Sequence, residues 1–376
     1  MSIPAIILSL LFLEALARFT WDEKRGVPGF RMQHAKRGYS LSPNYRGYYA
    51  GQPARINNLG FRDDKDYAVE KGPNVFRILV LGDSVTYGYG VKFKETWAYQ
   101  FQKRLEKWKP DTKWQVWNMG VPAYEMDAEL RTLEDIGPKY KPDLVIVGFY
   151  ENDLGAPTYG YQPAWRTKLK NFFRHNFYLF YHFRNFYHIF KSKYVLGMTP
   201  GVFFQTQYLY KPMVEPPSFD KTKFVFKHGL KNSPLPPRTT REFKPKKSST
   251  NIESIIAKFQ KYHNEGTYKI VFFINIAPDH DHEWNRKEFI GPIRPHFYEG
   301  IHNEMNNWFM KIMGKGTPVL SSYDAFWSYK VSEVPGAWHH SLGAANMVKA
   351  DILFKFISNN VIKDKFRPEP KLKKQS

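Results

Sequence analysis

A serine stands where a buried strand leads into a helix, which is a position suited to nucleophilic catalysis. Residues 76–81 (Phe-Arg-Ile-Leu-Val-Leu) form a largely apolar run, Gly82 and Asp83 follow it, and residues 96–108 have helical spacing. The Ser84 hydroxyl is therefore expected at the carboxyl edge of a sheet, with its backbone N–H near a helix start, where negative charge is favoured. A serine nucleophile needs such a position. The alternative is a turn that only caps a helix.

A glycine and an asparagine follow two further predicted strands in the same way. Gly120 comes after the strand predicted at residues 114–117, and Asn152 comes after the strand predicted at residues 144–149. Open α/β sheets build their sites at the carboxyl ends of strands, so both residues are expected near Ser84. The alternatives are an ordinary turn glycine and a turn stabilised by the asparagine side chain.

Together with two adjacent histidines before the last predicted helix, these segments resemble the sequence blocks of the GDSL/SGNH hydrolase family. The family's second name stands for Ser, Gly, Asn and His. The resemblance rests on residues 81–88 (Leu-Gly-Asp-Ser-Val-Thr-Tyr-Gly), 118–124 (Asn-Met-Gly-Val-Pro-Ala-Tyr), 148–154 (Gly-Phe-Tyr-Glu-Asn-Asp-Leu) and 338–341 (Trp-His-His-Ser). It implies an α/β fold with a three-layer α/β/α, flavodoxin-like parallel sheet. It also implies a serine ester hydrolase or O-acyltransferase of the membrane-anchored bacterial type.

The resemblance implies a role for each of these residues. Ser84 attacks an ester carbonyl, and His339 or His340 accepts its proton. The backbone N–H groups of Ser84 and Gly120 and the side-chain amide of Asn152 bind the oxyanion, and each such donor lowers the barrier by about 3–4 kcal/mol. Glycine at position 120 is expected to let the substrate oxygen approach the backbone without a Cβ in the way.

The histidine segment departs from the family pattern, in which an aspartate three residues before the histidine holds the imidazole in the right tautomer. Gly336 stands three residues before His339, and Ala337 stands three residues before His340. We favour His339 as the base, because the serine two residues later and the apolar pair at residues 347–348 keep the family's register.

The group that orients the imidazole is therefore open. Glu333 is the first candidate because it lies in the same predicted loop, and Asp324 is the second because it follows the final short strand. A Ser–His dyad with a backbone carbonyl as the orienting group is equally compatible with the sequence. The missing acid also motivates an alternative function, a catalytically weak glycan- or lipid-binding protein that keeps the fold.

Strand and helix patterns alternate along the chain, which predicts a parallel sheet covered by helices on both faces. Besides the strands already given, the pattern predicts helices at 251–262, 297–313 and 342–357 and strands at 269–276 and 318–320. The predicted division is an anchor at 1–20, an extension at 21–73, an SGNH hydrolase-like domain at 74–363 with an insertion at 155–250, and a basic tail at 364–376.

The first twenty residues predict an uncleaved membrane anchor. Residues 3–19 are apolar apart from Ser9, Glu14 and Arg18, which is the short end of a membrane span. The segment lacks the basic start and the cleavage motif of a signal peptide. The basic residues after it favour a cytoplasmic location for the following chain. The family resemblance instead favours a catalytic domain outside the cytoplasmic membrane, and the side of the membrane stays open.

The extension and the insertion carry two further predictions. Residues 55–62 (Arg-Ile-Asn-Asn-Leu-Gly-Phe-Arg) resemble a segment that precedes the catalytic domain in anchored bacterial SGNH proteins, and we expect the extension to pack on the core as an added edge strand. Residues 161–250 hold 17 Lys and Arg against 3 Asp and Glu, a net charge of +14 within the chain's +21. Phenylalanines spaced by three and four within residues 169–190 predict a helix with an aromatic face. Three roles of this helix stay open, which are binding to an anionic bilayer surface, forming a wall beside the substrate, and packing on the core.

Composition limits the remaining chemistry. The 376 residues include no cysteine, so disulfides, thiolate nucleophiles and cysteine-bound metals are excluded. The cluster at residues 279–283 (Asp-His-Asp-His-Glu) suggests a cation site, but a solvated loop is favoured, and no metal or cofactor is expected. The basic charge allows salt-sensitive association with nucleic acid, but no recognition motif accompanies it. The expected partners are an acyl-ester substrate, with carbohydrate esters among the candidates, and a membrane.

Overall fold

The computed structural model describes five main stretches of the chain and several short pieces between them. The main stretches are residues 2–21, 29–150, 252–275, 306–322 and 343–363, and the short pieces are residues 153, 165, 168–169, 172–173, 176–191, 194, 336–337 and 340–341.

The chain begins with a helix and two antiparallel hairpins. The elements are α1 (Ile3–Phe19), the pair β1 (Arg31–His34) and β2 (Gly38–Leu41), and the pair β3 (Arg46–Tyr49) and β4 (Gln52–Arg55).

A five-stranded parallel sheet forms the centre of the fold. Its strands are β5 (Val75–Gly82), β6 (Lys113–Gly120), β7 (Leu144–Phe149), β8 (Ile270–Ile274) and β9 (Val319–Ser321). Their spatial order is β6-β5-β7-β8-β9, and every neighbouring pair is parallel. The predicted strands are confirmed; the strand at residues 144–149 has the predicted bounds, and the bounds of the others shift by up to three residues.

Helices connect the strands. They are α2 (Ser84–Tyr87), α3 (Trp97–Trp108), α4 (Met126–Tyr140), α5 (Tyr178–Phe190), α6 (Ile252–Asn264), α7 (residues 306–313) and α8 (Gly343–Phe356). A two-residue pair, β10 (Gly336–Ala337) with β11 (His340–Ser341), precedes α8.

The helices form one layer on each face of the sheet because successive strand residues point to opposite sides. Leu79 and Leu81 of β5 belong to a core shared with α4, α6 and α7. Ile78 and Val80, on the other face, belong to a core shared with α3 and α8. The predicted three-layer α/β/α architecture is therefore confirmed, and it places the carboxyl ends of β5, β6 and β7 side by side.

The extension packs on the domain, but not as an added edge strand. Leu41, Tyr45 and Ile56 share a third core with Tyr87, the last residue of α2, and with Val121, which directly follows β6. In the described part of the extension, residues 29–73, the four strands pair only with one another, so the expected edge strand was wrong there. A hydrophobic cluster at the carboxyl edge holds the extension in place, and short hairpins suffice for that.

The N-terminal helix α1 carries exposed apolar side chains along its whole length. Its first residue, Ile3, is 74% exposed, and its last residue, Phe19, is 90% exposed. Two of its residues, Glu14 and Ala17, are buried. Among the described residues, no helix is both long enough and apolar enough to span a bilayer.

Candidate active site

Ser84 begins α2 directly after the central strand β5. Asp83 caps this helix, since its Oδ1 accepts the Val85 N–H at 2.8 Å, and the Ser84 Oγ donates to its Oδ2 at 3.3 Å. Every residue from Phe76 to Val91 is buried except Ser84. The turn that the sequence predicted is therefore built so that one side chain, a hydroxyl, reaches outward from the carboxyl edge of the sheet.

Three glycines at the ends of three adjacent strands make room for this turn. Gly82 lies opposite Gly120 on one side and opposite Gly148 on the other. A Cβ at position 120 would lie 2.3 Å from the Tyr87 backbone nitrogen, and one at position 148 would lie 2.5 Å from the Thr86 Oγ1. The close approach of α2 is thus one structural reason for glycine at position 120, and the expected approach of a substrate oxygen stays a prediction.

Asn118, which sequence reasoning missed, ties β6 to the same turn. It is buried, its Nδ2 donates to the Thr86 carbonyl at 2.9 Å, and its Oδ1 accepts the Gly120 N–H at 3.1 Å. The N–H assigned to the oxyanion hole therefore has an acceptor within the protein. The signal in the sequence was an amide between two large apolar residues, Trp117 and Met119, because such a group must find partners when it is buried.

Ala123, in the loop after β6, is a second residue that sequence reasoning missed. It is exposed and has φ +64°, a left-handed conformation that is uncommon for a residue with a Cβ. Two side chains of the extension hold the preceding carbonyl, since Arg31 Nη2 donates to the Pro122 oxygen at 2.9 Å and Tyr39 Oη donates to it at 2.8 Å. Backbone strain of this kind concentrates at functional sites.

Most of the other predicted site residues are not among the described residues. Asn152, Glu333, Asp324 and His339 lie outside the described residues, and their roles stay predictions. For His340 the backbone alone is described, in β11, where it is paired with Ala337. Ala337 stands at the position of the family's aspartate for His340, and it pairs directly with His340 across this hairpin.

Tyr150 and Asp153, which follow β7, are joined by two hydrogen bonds. Tyr150 donates its N–H to the Asp153 Oδ2 at 2.8 Å, and its carbonyl accepts the Asp153 N–H at 3.0 Å. Asn152 lies between these two residues in the sequence, so the residues on either side of it are held by hydrogen bonds.

Buried titratable groups lie behind the serine turn. Asp83, Glu129 and Asp153 are buried carboxyls, and Lys349 of α8 is a buried ammonium whose Nζ donates to the Asn275 carbonyl at 3.2 Å. Neither carboxyl oxygen of Glu129 has a hydrogen-bond partner in the described part of the chain. None of these four residues was among the predicted site residues, although Asp83 adjoins Ser84 and Asp153 adjoins Asn152 in the sequence.

Burial determines the charge of this cluster. It raises the pKa of Glu129 well above its ordinary value, with a further rise from Asp83, and it raises the pKa of Asp153, with further rises from Glu129 and Asp83. Burial lowers the pKa of Lys349 to about 7, although Asp83 acts in the opposite direction. A raised pKa favours the neutral form of Glu129 and of Asp153, and the neutral forms place less negative charge behind Ser84, which favours an oxyanion in front of it.

Within the described ranges, no group of three or more His, Asp or Glu side chains is arranged to hold a metal ion. The candidate cation cluster at residues 279–283 lies outside them. The part of the site that the structure describes consists of a serine hydroxyl, backbone N–H groups and buried acids, a set suited to acyl transfer.

No protein-family model matches the sequence, and no curated protein matches it. Solved structures of similar fold include a member of the lipolytic G-D-S-L family from Veillonella parvula, with 9% identity and a TM-score of 0.38, over 75% of this chain and 98% of that chain. A GDSL-like lipase from Bacteroides thetaiotaomicron has 10% identity and a TM-score of 0.35, over 78% and 92%. An acetyl xylan esterase has 13% identity and a TM-score of 0.37, over 74% and 99%. Scores in this range do not assign an activity to this chain.

Proposed function

We propose that the protein is a serine ester hydrolase with Ser84 as its nucleophile. The observation that carries the proposal is the outward position of Ser84, the one residue between Phe76 and Val91 that is not buried. A buried serine would have no access to substrate, and a capping serine would direct its oxygen to its own helix. Here Asp83 performs the capping by accepting the Val85 N–H, and the Ser84 side chain is not buried.

In the proposed reaction, the Ser84 Oγ attacks the ester carbonyl carbon while His339 or His340 accepts its proton. The carbonyl oxygen becomes an oxyanion, which backbone N–H groups at the edge of the sheet and the Asn152 amide stabilise. The intermediate collapses, the C–O bond to the alcohol breaks, and the alcohol takes the proton from the imidazolium. The acyl group remains on Ser84 as an ester.

A second nucleophile then releases the acyl group. Attack by water gives the free acid, and attack by a sugar hydroxyl gives a transferred ester, in both cases with the histidine as base. We propose acyl or acetyl esters of cell-envelope polysaccharide or lipid as substrates. The support is the sequence resemblance and the basic insertion, whose net charge of +14 suits an acidic glycan or lipid.

A binding protein without strong catalysis is the second candidate function. The observation that favours it is the hairpin before α8, in which Gly336 and Ala337 occupy the positions of the family's aspartate. Without an acceptor for the outer ring N–H, the imidazole loses its preferred tautomer and most of its strength as a base.

A fluorophosphonate probe separates the two candidates. If the protein is a hydrolase, the probe labels the folded wild type but labels neither the heated protein nor Ser84→Ala. The thermal midpoint of Ser84→Ala stays near that of the wild type because the hydroxyl contributes little packing. A panel of acyl esters, tested with wild type and Ser84→Ala in parallel, then identifies the acyl group. Folded protein that neither labels nor hydrolyses any ester contradicts the enzymatic function.

We also propose that α1 and α5 together bring the domain to an anionic bilayer surface. The Glu14 carboxylate of α1 accepts the N–H groups of Tyr178 and Leu179 at 3.1 and 3.0 Å, so the acid in this apolar helix caps the start of α5. Arg18 pairs with Glu14 at 2.8 Å and donates to the Asn176 carbonyl at 2.6 Å. Both charged side chains of α1 are thus engaged between the helices.

The outer surfaces of the two helices are apolar. On α5, Phe183, Phe186, Tyr187 and Phe190 are exposed, beside the exposed side chains of α1. An apolar surface that extends around a helix fits surrounding lipid better than the narrow stripe of a protein partner. The basic insertion complements anionic headgroups.

Flotation with lipid vesicles tests this surface. We expect the full chain to float with vesicles containing phosphatidylglycerol and to float less in high salt or with phosphatidylcholine alone. The double variant Phe183→Ser, Phe186→Ser should float less, whereas Phe76→Leu, a change in the buried core, should not alter flotation. Equal flotation of both variants would contradict a role for α5.

A further inference from the structure

Arg62 of the extension is a buried cation that holds the segment following Ser84. It is 1% exposed, and its guanidinium donates to three backbone carbonyls, those of Tyr87 at 2.8 Å, Gly88 at 2.6 Å and Val91 at 2.6 Å. The same guanidinium lies 4.4 Å from the centre of the Tyr87 ring. Within the described residues, no carboxylate forms an ion pair with it.

The Tyr87 and Gly88 carbonyls lie at the C-terminal end of α2, where the last carbonyls of a helix have no partner within it. The Gly88 carbonyl also accepts the Val91 N–H at 3.4 Å, outside the helix. The chain leaves α2 through Gly88 at φ +83°, which turns the following carbonyls toward the extension. A planar guanidinium reaches all three carbonyls with N–H groups held in a fixed fork, whereas a lysine carries its donors on one nitrogen and an apolar side chain has none.

Burying a charge in this way is costly unless hydrogen bonds compensate for it. Burial lowers the pKa of Arg62 from its ordinary value. An apolar residue would fill the same space without this penalty, so the benefit of the guanidinium lies in fixing the three carbonyls rather than in packing.

The extension makes a second contact of this kind with the loop after β6. Arg31 and Tyr39 both donate to the Pro122 carbonyl, and the Tyr124 hydroxyl donates back to the Tyr39 carbonyl. The residue between Pro122 and Tyr124 is Ala123, with its left-handed backbone. The Arg62 backbone N–H completes the link by donating to the Asn118 carbonyl at 3.2 Å, at the end of β6.

We propose that the extension is part of the catalytic apparatus, with Arg62 and Tyr39 as positioning residues that hold residues 84–91 and 121–124 at the carboxyl edge of the sheet. The proposal rests on the proposed function of Ser84. It assigns the segment at residues 55–62, which the sequence resemblance left without a role, to alignment of the serine turn. Neither side chain contacts the reacting atoms.

Arg77 offers a matched control for Arg62. It is equally buried, and its guanidinium donates to the carbonyls of Val69 at 2.8 Å and Tyr140 at 2.7 Å and lies 4.2 Å from the Trp117 ring centre. It lies near the amino end of β5, away from Ser84. A purely structural effect of losing a buried guanidinium should therefore be the same at both positions.

The experiment compares Arg62→Lys, Arg77→Lys and Tyr39→Phe in the full chain. With 4-nitrophenyl acetate as substrate, we expect Arg62→Lys to lower kcat about 10²-fold, with KM nearly unchanged, because misplacement of about 1 Å costs that much. Tyr39→Phe should lower kcat about fivefold, since it removes one neutral hydrogen bond. Arg77→Lys should lower the thermal midpoint but leave kcat of the folded protein near the wild-type value.

Hydrogen exchange supplies a measurement that does not depend on activity. In Arg62→Lys, the amides of residues 84–91 should lose protection, whereas in Arg77→Lys they should keep it. If the wild type hydrolyses no ester, the proposed function fails, and this exchange pattern alone decides whether the extension holds the turn. If Arg62→Lys does not fold, Tyr39→Phe and the amides of residues 121, 123 and 124 decide it. Equal kcat and equal protection in the Arg62 and Arg77 variants would overturn the proposal.

Discussion

Asn118 and Thr86 are joined by a buried hydrogen bond of 2.9 Å from the Asn118 side-chain amide to the Thr86 carbonyl. The bond connects the end of strand β6 to the short helix that begins with Ser84. The position of Ser84 therefore depends on the neighbouring strand as well as on its own turn.

Replacing Asn118 by alanine should destabilise the protein and slow catalysis together. The change leaves the Thr86 carbonyl and the Gly120 N–H buried without this partner, at a cost of about 1–3 kcal/mol for each group. Chemical denaturation and kcat on an ester substrate measure the two effects. Asn58→Ala is the control, because the Asn58 amide also donates to a carbonyl, that of Tyr67 at 2.9 Å, but is exposed. Equal losses in both variants would argue against a special role for Asn118.

Replacing Gly120 by alanine should destabilise the fold by at least about 3 kcal/mol, as strong overpacking does. The added Cβ would lie 2.3 Å from the backbone nitrogen of Tyr87, and neither backbone segment can move without disturbing the serine turn. The free energy of unfolding measures the effect. Gly72→Ala, whose nearest atom would be 4.0 Å away, should change it by less than about 0.5 kcal/mol. A stable Gly120→Ala protein would show that α2 can shift.

Alanine substitutions in the histidine segment should identify the base and its partner. We expect His339→Ala to lower kcat about 10⁴-fold or more, and His340→Ala to do so if His340 is the base instead. A comparable loss at Glu333 or Asp324 identifies a triad, and its absence at both identifies a dyad. His263→Ala, which removes the acceptor of the Ile270 N–H in the core, is the control for stability alone. Full activity in both histidine variants would refute the catalytic proposal.

Replacing Glu129 by glutamine should stabilise the protein relative to the wild type, and this difference should grow as pH rises. The folded-state pKa of Glu129 is raised. The stability that the folded protein gains from the protonated carboxyl is therefore fully present below about pH 4.5 and is lost as pH rises through the folded pKa. Glutamine stays neutral, so the difference in unfolding free energy grows above about pH 4.5, by about 1.4 kcal/mol for each unit of raised pKa.

Urea denaturation between about pH 4.5 and pH 8 measures this difference. Glu134→Gln on the same helix is the control, because its carboxylate is exposed and accepts the Tyr262 hydroxyl at 2.9 Å. A constant difference between Glu129→Gln and wild type across this pH range would contradict the neutral state of the buried carboxyl.

The sequence by itself determined the central sheet and the place of Ser84. Apolar runs such as residues 144–149 bury both faces of a parallel strand, and that pattern needs no knowledge of the neighbours. The order of strand, glycine, acid, serine and helix likewise predicted the turn at the end of β5, since each of these preferences is local.

Only the tertiary structure decided the contacts between segments that are far apart in the sequence. Nothing in the sequence connected the glycines at positions 82, 120 and 148, and their common role became visible when three strands placed them around Thr86 and Tyr87. The place of the extension was decided in the same way. We expected it as an edge strand, but Arg62 found its partners among carbonyls more than twenty residues away, and a burial of that kind is not encoded in local spacing.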